Sequence, residues 1–581
     1  MAELVASEVV DNLATQFSSA LDCYRELVQN SIDAGSPQVD VWMEFIPSKG
    51  HTGTITVHVD DFGEGMDEHI IDSQLTRLFA SSKEDDLTKI GKFGIGFVSV
   101  FALNPRGVLV RTGRGGEYWE VFFDQDRSFM KTRLDVPVEG TQVTLFLEGD
   151  HHRYTELVAE SLATLKRWCC HSEIEVVFED RSAGAEPTFE VINSPFVVRG
   201  DCLTKVKHQG TEIVLAYHPR PGFGFYNRGL TLAFTEAPEE ILGDTRGRRF
   251  SRINLKIKSR YLEHTLSRET VLRDVNYDKA MTLLDEAACG PLASKLFDQL
   301  EQLVAEDKWG LGEVSYYLRL VSHLASEPYA VLENAAEKQL LRLVDGQTIS
   351  LEGICSAFNQ DGRVFIAGAP SQLTKTLCAQ GVPVLLAPSP GEIPVPSAKE
   401  EQGSYEEQAL ENLVTRYIVE RSRRGVWKKL ASIVGFKPGE LYVSVVRPDE
   451  VYVPVQVDPT PLPDEARLVE QAARVLSKTK TGYRRLTTCQ LTVPILDPPL
   501  FVTSRRLGDL MARPPAKVEE DEKSLRPEAA VNRQHPHFLE LKALFEDSPA
   551  LATYCLAKAL LLNEDRLLNL DTDLMFSALG G

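Results

Sequence analysis

The sequence predicts an α+β protein of several domains, and three observations predict it. Its 581 residues suffice for three or four domains at ~150 residues each. Hydrophobic residues make up 43% of the chain and charged residues 25%, so several apolar cores can be buried. Amphipathic helical patterns and alternating strand patterns both recur along the chain.

Taken in order, residues 1–35 carry a helical pattern that stops at Gly35-Ser36-Pro37. VDVWMEF (39–45) and GTITVHVDD (53–61) then alternate apolar and polar residues, as half-buried strands do. A glycine-punctuated region follows, containing Gly63, Gly65, Gly91, Gly94 and Gly96. Residues 140–150 read as a strand, 154–172 as an amphipathic helix and 173–180 as another strand. RSAGAEPTFE (181–190) is the first expected connector. Strands are expected at 211–218, 230–234 and 253–259, with helices up to about residue 345. A βαβ-like piece spans 362–389, and the Pro-, Ser- and charge-rich stretch 388–404 reads as a linker. Helices near 405–420 and 538–562, with a flexible loop at 514–529, complete the pattern. The division expected from these readings is 1–185, 190–390 and 400–581.

Lys plus Arg is 63 and Asp plus Glu is 84, a net charge of −21. That excess argues against broad binding to nucleic acid or anionic membranes, because such binding neutralises phosphates. No stretch approaches the roughly 20 apolar residues of a membrane span, and MAELVASEVVDNL lacks the basic and apolar blocks of a signal peptide. Nine cysteines without any CxxC imply reduced thiols and no zinc site, which makes the cytoplasm the expected compartment.

Three motifs in the first hundred residues carry chemistry. In Glu26-Leu-Val-Gln-Asn30-Ser-Ile-Asp33, the polar residues 26, 30 and 33 fall within roughly a 60° arc of one helix face. A carboxylate and an amide one turn apart can hold a water beside a metal, although such a pair also arises on solvated helices. Asp61-Phe-Gly63-Glu-Gly65-Met66 follows a strand; its glycines allow a tight turn and close approach to a flat ligand, or simply a turn. Gly91-Lys-Phe93-Gly94-Ile95-Gly96-Phe97 precedes an apolar run, so the free N–H groups of a following helix would be open to phosphate. Its spacing from the first motif does not fit a Rossmann turn.

In this order and spacing the motifs resemble the GHKL ATPase superfamily: heat-shock protein 90 chaperones, MutL mismatch-repair proteins, type II topoisomerase ATPase subunits and histidine kinases. The resemblance implies an N-terminal GHKL (Bergerat) α/β sandwich that binds ATP and Mg2+. It implies Glu26 as the base that orients the attacking water and Asn30 as the Mg2+ ligand. Asp33 becomes a structural or water-network partner of the adenine pocket, and Asp61 the residue that bonds the adenine amino group. Gly65 and Met66 would line the base, and Thr141 would complete its water network. Lys83 corresponds to the lid lysine, with an ordinary solvated lysine as the alternative, and Gly91 to Phe97 correspond to the phosphate-binding turn.

Among the branches, a histidine kinase needs an acceptor histidine ahead of this module, whereas the first histidine is His51. No DNA-cleavage machinery of a topoisomerase is evident. FSSALDCYRELVQNSIDA (17–34) and IGKFGIGFVSVF (90–101) are similar to the chaperone forms. INLKIKSRYLEHTLSRETVLRD (253–274) resembles the chaperone middle-domain segment, which makes Arg268 the arginine that reaches the phosphates; a pairing with a surface carboxylate is the alternative. The likeness implies a middle domain of the ribosomal-S5-like type and a mixed C-terminal dimerisation domain. Departures accompany it: only 23 residues separate Asp67 from Gly91, Leu272 stands where chaperones carry glutamine, and no acidic tail is present. The chain therefore looks like a divergent, bacterial-type heat-shock protein 90 relative. The function implied is a homodimeric, ATP-hydrolysing clamp that assists unfolded or partly folded clients, without membrane or nucleic-acid partners. A MutL- or MORC-like clamp on DNA is the alternative, and a non-hydrolysing nucleotide sensor is a third reading.

Overall fold

A computed structural model describes residues 19–48, 52–76, 95–181, 188–265, 270–307, 309–387, 408–430, 442–458, 460–479, 481–483, 485–492, 498–504, 511–512, 528–562 and 567–580. Two compact units are present, Met1–Lys295 and Leu296–Gly581.

In the first unit, Ser19 opens the first helical segment with a reciprocal cap. Its hydroxyl accepts from the Leu21 amide and its own amide donates to Asp22. Helix α1 (Cys23–Asp33) follows and ends before Gly35, whose φ of +70° takes the chain out of the helix, as expected from the Gly-Ser-Pro stop. An eight-stranded mixed sheet lies beneath it: β1 (Gln38–Pro47), β2 (Gly53–Asp61), β3 (Gly107–Arg114), β4 (Glu117–Asp124), β5 (Phe129–Arg133), β6 (Thr141–Gly149), β7 (Glu175–Asp180) and β8 (Thr188–Val191). Their order is β5-β4-β3-β6-β2-β1-β7-β8, and only β1 and β7 run parallel. Helix α2 (His151–Cys169) joins β6 to β7. One core includes Tyr24, Leu27 and Val28 of α1, Leu157 and Leu165 of α2, and Val41, Val57, Val110 and Leu145 from the sheet. Each such fully buried side chain contributes about 1.5–3 kcal/mol, which holds α1 against the sheet.

Two features depart from the sequence reading. Strands β3 to β5 fill a stretch in which no strand was expected; the Gly115-Gly116 turn, with φ of +62° and +86°, joins β3 to β4, and β4 carries apolar residues on both faces. The expected connector 181–190 ends inside the sheet, because Thr188–Val191 pairs antiparallel with β7. All four β8 residues are exposed, so backbone pairing at the sheet edge makes this strand without any pattern of burial.

A second sheet in the same unit has the order β12-β11-β13-β10-β9, built from β9 (Asp201–His208), β10 (Thr211–Tyr217), β11 (Phe223–Asn227), β12 (Leu230–Thr235) and β13 (Ile253–Ser259). The strands expected at 211–218, 230–234 and 253–259 are β10, β12 and β13.

The second unit contains the hairpin β14 (Gln339–Arg342) and β15 (Thr348–Ser350). The expected βαβ piece is present as β16 (Arg363–Ala367), a helix (Gln372–Ala379) and β17 (Val384–Leu386), with β16 and β17 parallel; β18 (Ser444–Val446) pairs with the other side of β16. Further on, β19 (Val453–Asp458), β20 (Arg485–Leu491), β21 (Phe501–Ser504), β22 (Met511–Ala512) and β23 (Glu528–Asn532) form a sheet with helices at Ala466–Lys478, Pro536–Asp547, Pro549–Ala559 and Leu567–Leu579. The expected loop at 514–529 thus ends within β23; its remainder and the linker at 388–404 lie outside the described residues. None of the nine cysteines forms a disulfide. Among the described residues no helix is long and apolar enough to cross a membrane.

Candidate functional site

The end of β2, the start of β6 and the exposed side of α1 enclose a cavity of about 260 Å³. Its floor is set by register. β2 pairs with β6 so that Asp61 faces Thr141, and β3 pairs with β6 so that Thr112 also faces Thr141. Asp61 Oδ1 accepts from the Gly63 amide at 2.9 Å and the Thr141 amide at 3.2 Å. Its Oδ2 accepts from the Ser31 hydroxyl at 3.3 Å. Burial raises the Asp61 carboxyl above its ordinary value, and these three donors work in the opposite direction. The carboxylate is therefore oriented before any ligand arrives. Thr112, completely buried, accepts from the Met66 amide at 2.8 Å, donates to the Gly140 carbonyl at 3.0 Å and lies 3.1 Å from the Thr141 hydroxyl.

Glycine is required at two of these turns. Gly65 has φ +64°, and a β-carbon there would sit 2.2 Å from the Gly113 carbonyl; Gly140 has φ +64°, and its β-carbon would sit 2.0 Å from the Asp61 carbonyl. Their absence of side chains lets three backbone segments meet beside Asp61. Met66, Phe97, Val59 and Val143 give the cavity apolar walls, as a flat aromatic ligand requires.

Helix α1 supplies the polar wall. Asn30 and Asp33 line the cavity. Glu26, one turn earlier, is buried behind that lining, with Oε1 3.3 Å from Arg25 Nη2. Gly96 comes close enough that a β-carbon on it would lie 2.8 Å from Glu26 Oε2. Arg25 is itself held over the Trp168 ring at 4.9 Å, and Trp168 Nε1 donates to Asp22 at 2.9 Å. Asp33 Oδ1 is 2.9 Å from Arg228 Nη1, which belongs to the second sheet.

The structure thus brings Glu26, Asn30, Asp33, Asp61, Gly65, Met66, Gly96, Phe97 and Thr141 into one region. Lys83, Gly91, Phe93, Gly94 and Arg268 lie outside the described residues, and Ile95 is described only as the start of the turn Ile95–Val98. The chain either side of Arg268 is antiparallel: the Leu272 amide donates to Glu263 at 2.7 Å and the Thr265 amide to Thr270 at 2.9 Å. Leu272 is exposed there. Sequence reasoning missed Ser31, Thr112 and Arg228. Thr112 had a usable signal, a hydroxyl in register with the inward Val108 and Val110; Arg228 had none, since only folding brings it to α1.

The donor set also bears on a metal. No cluster of three or more His, Cys, Asp or Glu side chains could hold an ion among the described residues. Asn30 offers a neutral oxygen at the cavity wall, which fits Mg2+, an ion that takes few protein ligands and completes its shell with phosphates and water.

Residues 17–142 match the family model described as histidine kinase-, DNA gyrase B-, and HSP90-like ATPase. The N-terminal region is a GHKL ATPase domain. Two curated relatives, the chaperone protein HtpG from two strains of Coxiella burnetii, are each 26% identical over 208 residues. The match takes in 29% of this chain and 32% of the relatives, so it spans about a third of their length. A solved structure of the N-terminal domain of a DNA repair protein is 14% identical, with 96% of that chain and 48% of this one covered at a TM-score of 0.31, and bears on neither fold nor function. Within the GHKL domain, the matched segment runs from just before α1 to the second residue of β6, and so contains the sequence of every cavity element described above except the end of the wall at Val143.

Proposed function

We propose that this chain is an ATP-driven clamp of the heat-shock protein 90 type, which hydrolyses ATP and assists unfolded or partly folded proteins. The observation that carries the proposal is the convergence on one cavity of an oriented carboxylate, Asp61, with an amide, Asn30, while a second carboxylate, Glu26, stands against the backbone of Gly96. Asp61 suits the amino group of a purine, because its Oδ1 is held by two backbone amides while Oδ2, beside the Ser31 hydroxyl, keeps a second lone pair for a ligand donor. Asn30 would hold Mg2+, which supplies charge neutralisation at the phosphates when bound.

Glu26 accepts a hydrogen bond from the attacking water and orients it toward the γ-phosphate. Its neighbour Arg25, 3.3 Å away, aims that carboxylate. Arg268 places a guanidinium on the developing phosphate charge once the two segments meet. The chaperone activity rests on the HtpG likeness, as does pairing of two chains through residues 400–581, with 190–390 as the middle domain.

The test is the ATPase rate of the full chain beside Glu26→Ala and Arg268→Ala, with an unfolded protein or with DNA added. Glu26→Ala is expected to bind ATP without turnover, Arg268→Ala to lose most turnover, and unfolded protein to change the wild-type rate. Stimulation by DNA alone replaces this reading with a clamp acting on DNA. No ATP binding by the wild type overturns both.

A further inference from the structure

A side chain from the second sheet contacts the wall of the cavity. The β11–β12 hairpin turns at Arg228 and Gly229, with φ of +46° and +88°. This tip is pinned to the GHKL domain by its backbone. The Arg228 carbonyl accepts from the Glu173 amide at 3.1 Å, and a β-carbon on Gly229 would sit 1.7 Å from the His171 carbonyl. Beyond the turn, the Thr231 hydroxyl donates to the Arg167 carbonyl at 2.8 Å, and Lys256 of β13 lies 2.8 Å from His171 Nε2. With its backbone held so, Arg228 extends its guanidinium to Asp33, at 2.9 Å.

Asp33 belongs to the cavity wall and lies one turn beyond Asn30 on α1. An uncompensated carboxylate there opposes any polyphosphate seated beside Asn30. The guanidinium cancels that charge, and the cation is donated by a different sheet from the one that builds the cavity.

We propose that Arg228 is a positioning residue of the nucleotide site, which neutralises Asp33 so that the phosphates of a nucleoside triphosphate can be accommodated. This makes docking of the second sheet a condition of tight triphosphate binding but not of nucleoside binding. It rests on the ATP reading given above. With the screening expected of a half-exposed pair, one uncompensated charge changes affinity about five- to tenfold.

The experiment measures equilibrium binding of Mg–ATP and of adenosine to the full chain, wild type beside Arg228→Gln, Asp33→Asn and the double variant, with thermal melting as the folding control. Expected are a five- to tenfold loss for ATP in Arg228→Gln, adenosine within about twofold of wild type, and recovery of ATP affinity in the double variant. Equal loss of ATP and adenosine, or no recovery when Asp33 is also neutralised, shows a purely structural latch and overturns the proposal. An unchanged ATP affinity in Arg228→Gln overturns it while leaving the ATP reading intact. Failure of the wild type to bind ATP overturns both. Should Arg228→Gln not fold, Arg228→Lys, which keeps the charge, must retain the ATP-to-adenosine ratio of the wild type.

Discussion

Gly96 and Glu26 are packed so closely that a single β-carbon at residue 96 would stand 2.8 Å from Glu26 Oε2. The atom in the way is the tip of a side chain, so Gly96→Ala is expected to fold and to push the carboxylate aside. Turnover should fall about 10- to 100-fold, because a displacement near 1 Å costs that much in a positioned group. ATP affinity should stay within about threefold. Steady-state ATPase assays paired with a binding titration check it.

Asp61→Asn replaces an acceptor-only group with one that must also donate. Nucleotide affinity is expected to fall by about 10- to 100-fold, equivalent to ~1.5–3 kcal/mol for a hydrogen bond to a charged group. Burial raises the wild-type carboxyl, so affinity should weaken on acidification at a pH above the usual carboxylate range. The stability linkage has the opposite sense: folding favours the protonated form, and its contribution is lost as pH rises through the raised value. Binding titrations across the acid range, wild type against variant, test both.

On the outer face of the sheet, His58 stacks on Trp42 with ring centroids 3.3 Å apart and lies 3.0 Å from the Thr144 hydroxyl. Burial, then the Arg181 charge, lowers its value from 6.5 to about 4. A base depressed in the folded state contributes stability above pH 6.5 that is lost as pH falls toward 4. With solvent screening of a partly exposed ring, the loss should be on the order of 1–2 kcal/mol over that window. His58→Gln should flatten it, as urea melts at several pH values would show.

The last helix, Leu567–Leu579, is apolar on two sides. Leu574 and Ala578 are buried, while Leu568, Met575, Phe576 and Leu579 share the outward stripe and are 91%, 41%, 65% and 66% exposed. If two chains pair through this region, Leu568→Glu with Phe576→Glu should convert dimer to monomer in light scattering and leave ATP affinity unchanged. A wild type that runs as a monomer removes homodimerisation from the proposal.

Much of the first unit was legible before folding. β2 at 53–61 and β13 at 253–259 were read to the residue because strict alternation has only one register against a core. Asn30 and Asp33 share a helix face by spacing alone. β3, β4 and β5 were missed: in β4 the outward positions include Tyr118 and Phe122 beside inward Trp119, Val121 and Phe123, so apolar residues on both faces blur the polar–apolar alternation. β8 was hidden for another reason: edge pairing leaves its side chains in solvent, and no burial pattern is written into such a strand.

Helical period, strand alternation and motif spacing are local properties, and they determined by themselves that a carboxylate, an amide and glycine turns would be available for a nucleotide. Tertiary structure alone decided that Thr112 would brace the base of the cavity, that Gly96 would back onto Glu26, and that Arg228, 195 residues along the chain, would neutralise Asp33. Long-range contacts of this kind depend on which surfaces the buried cores press together, and that is not encoded in any short window of sequence.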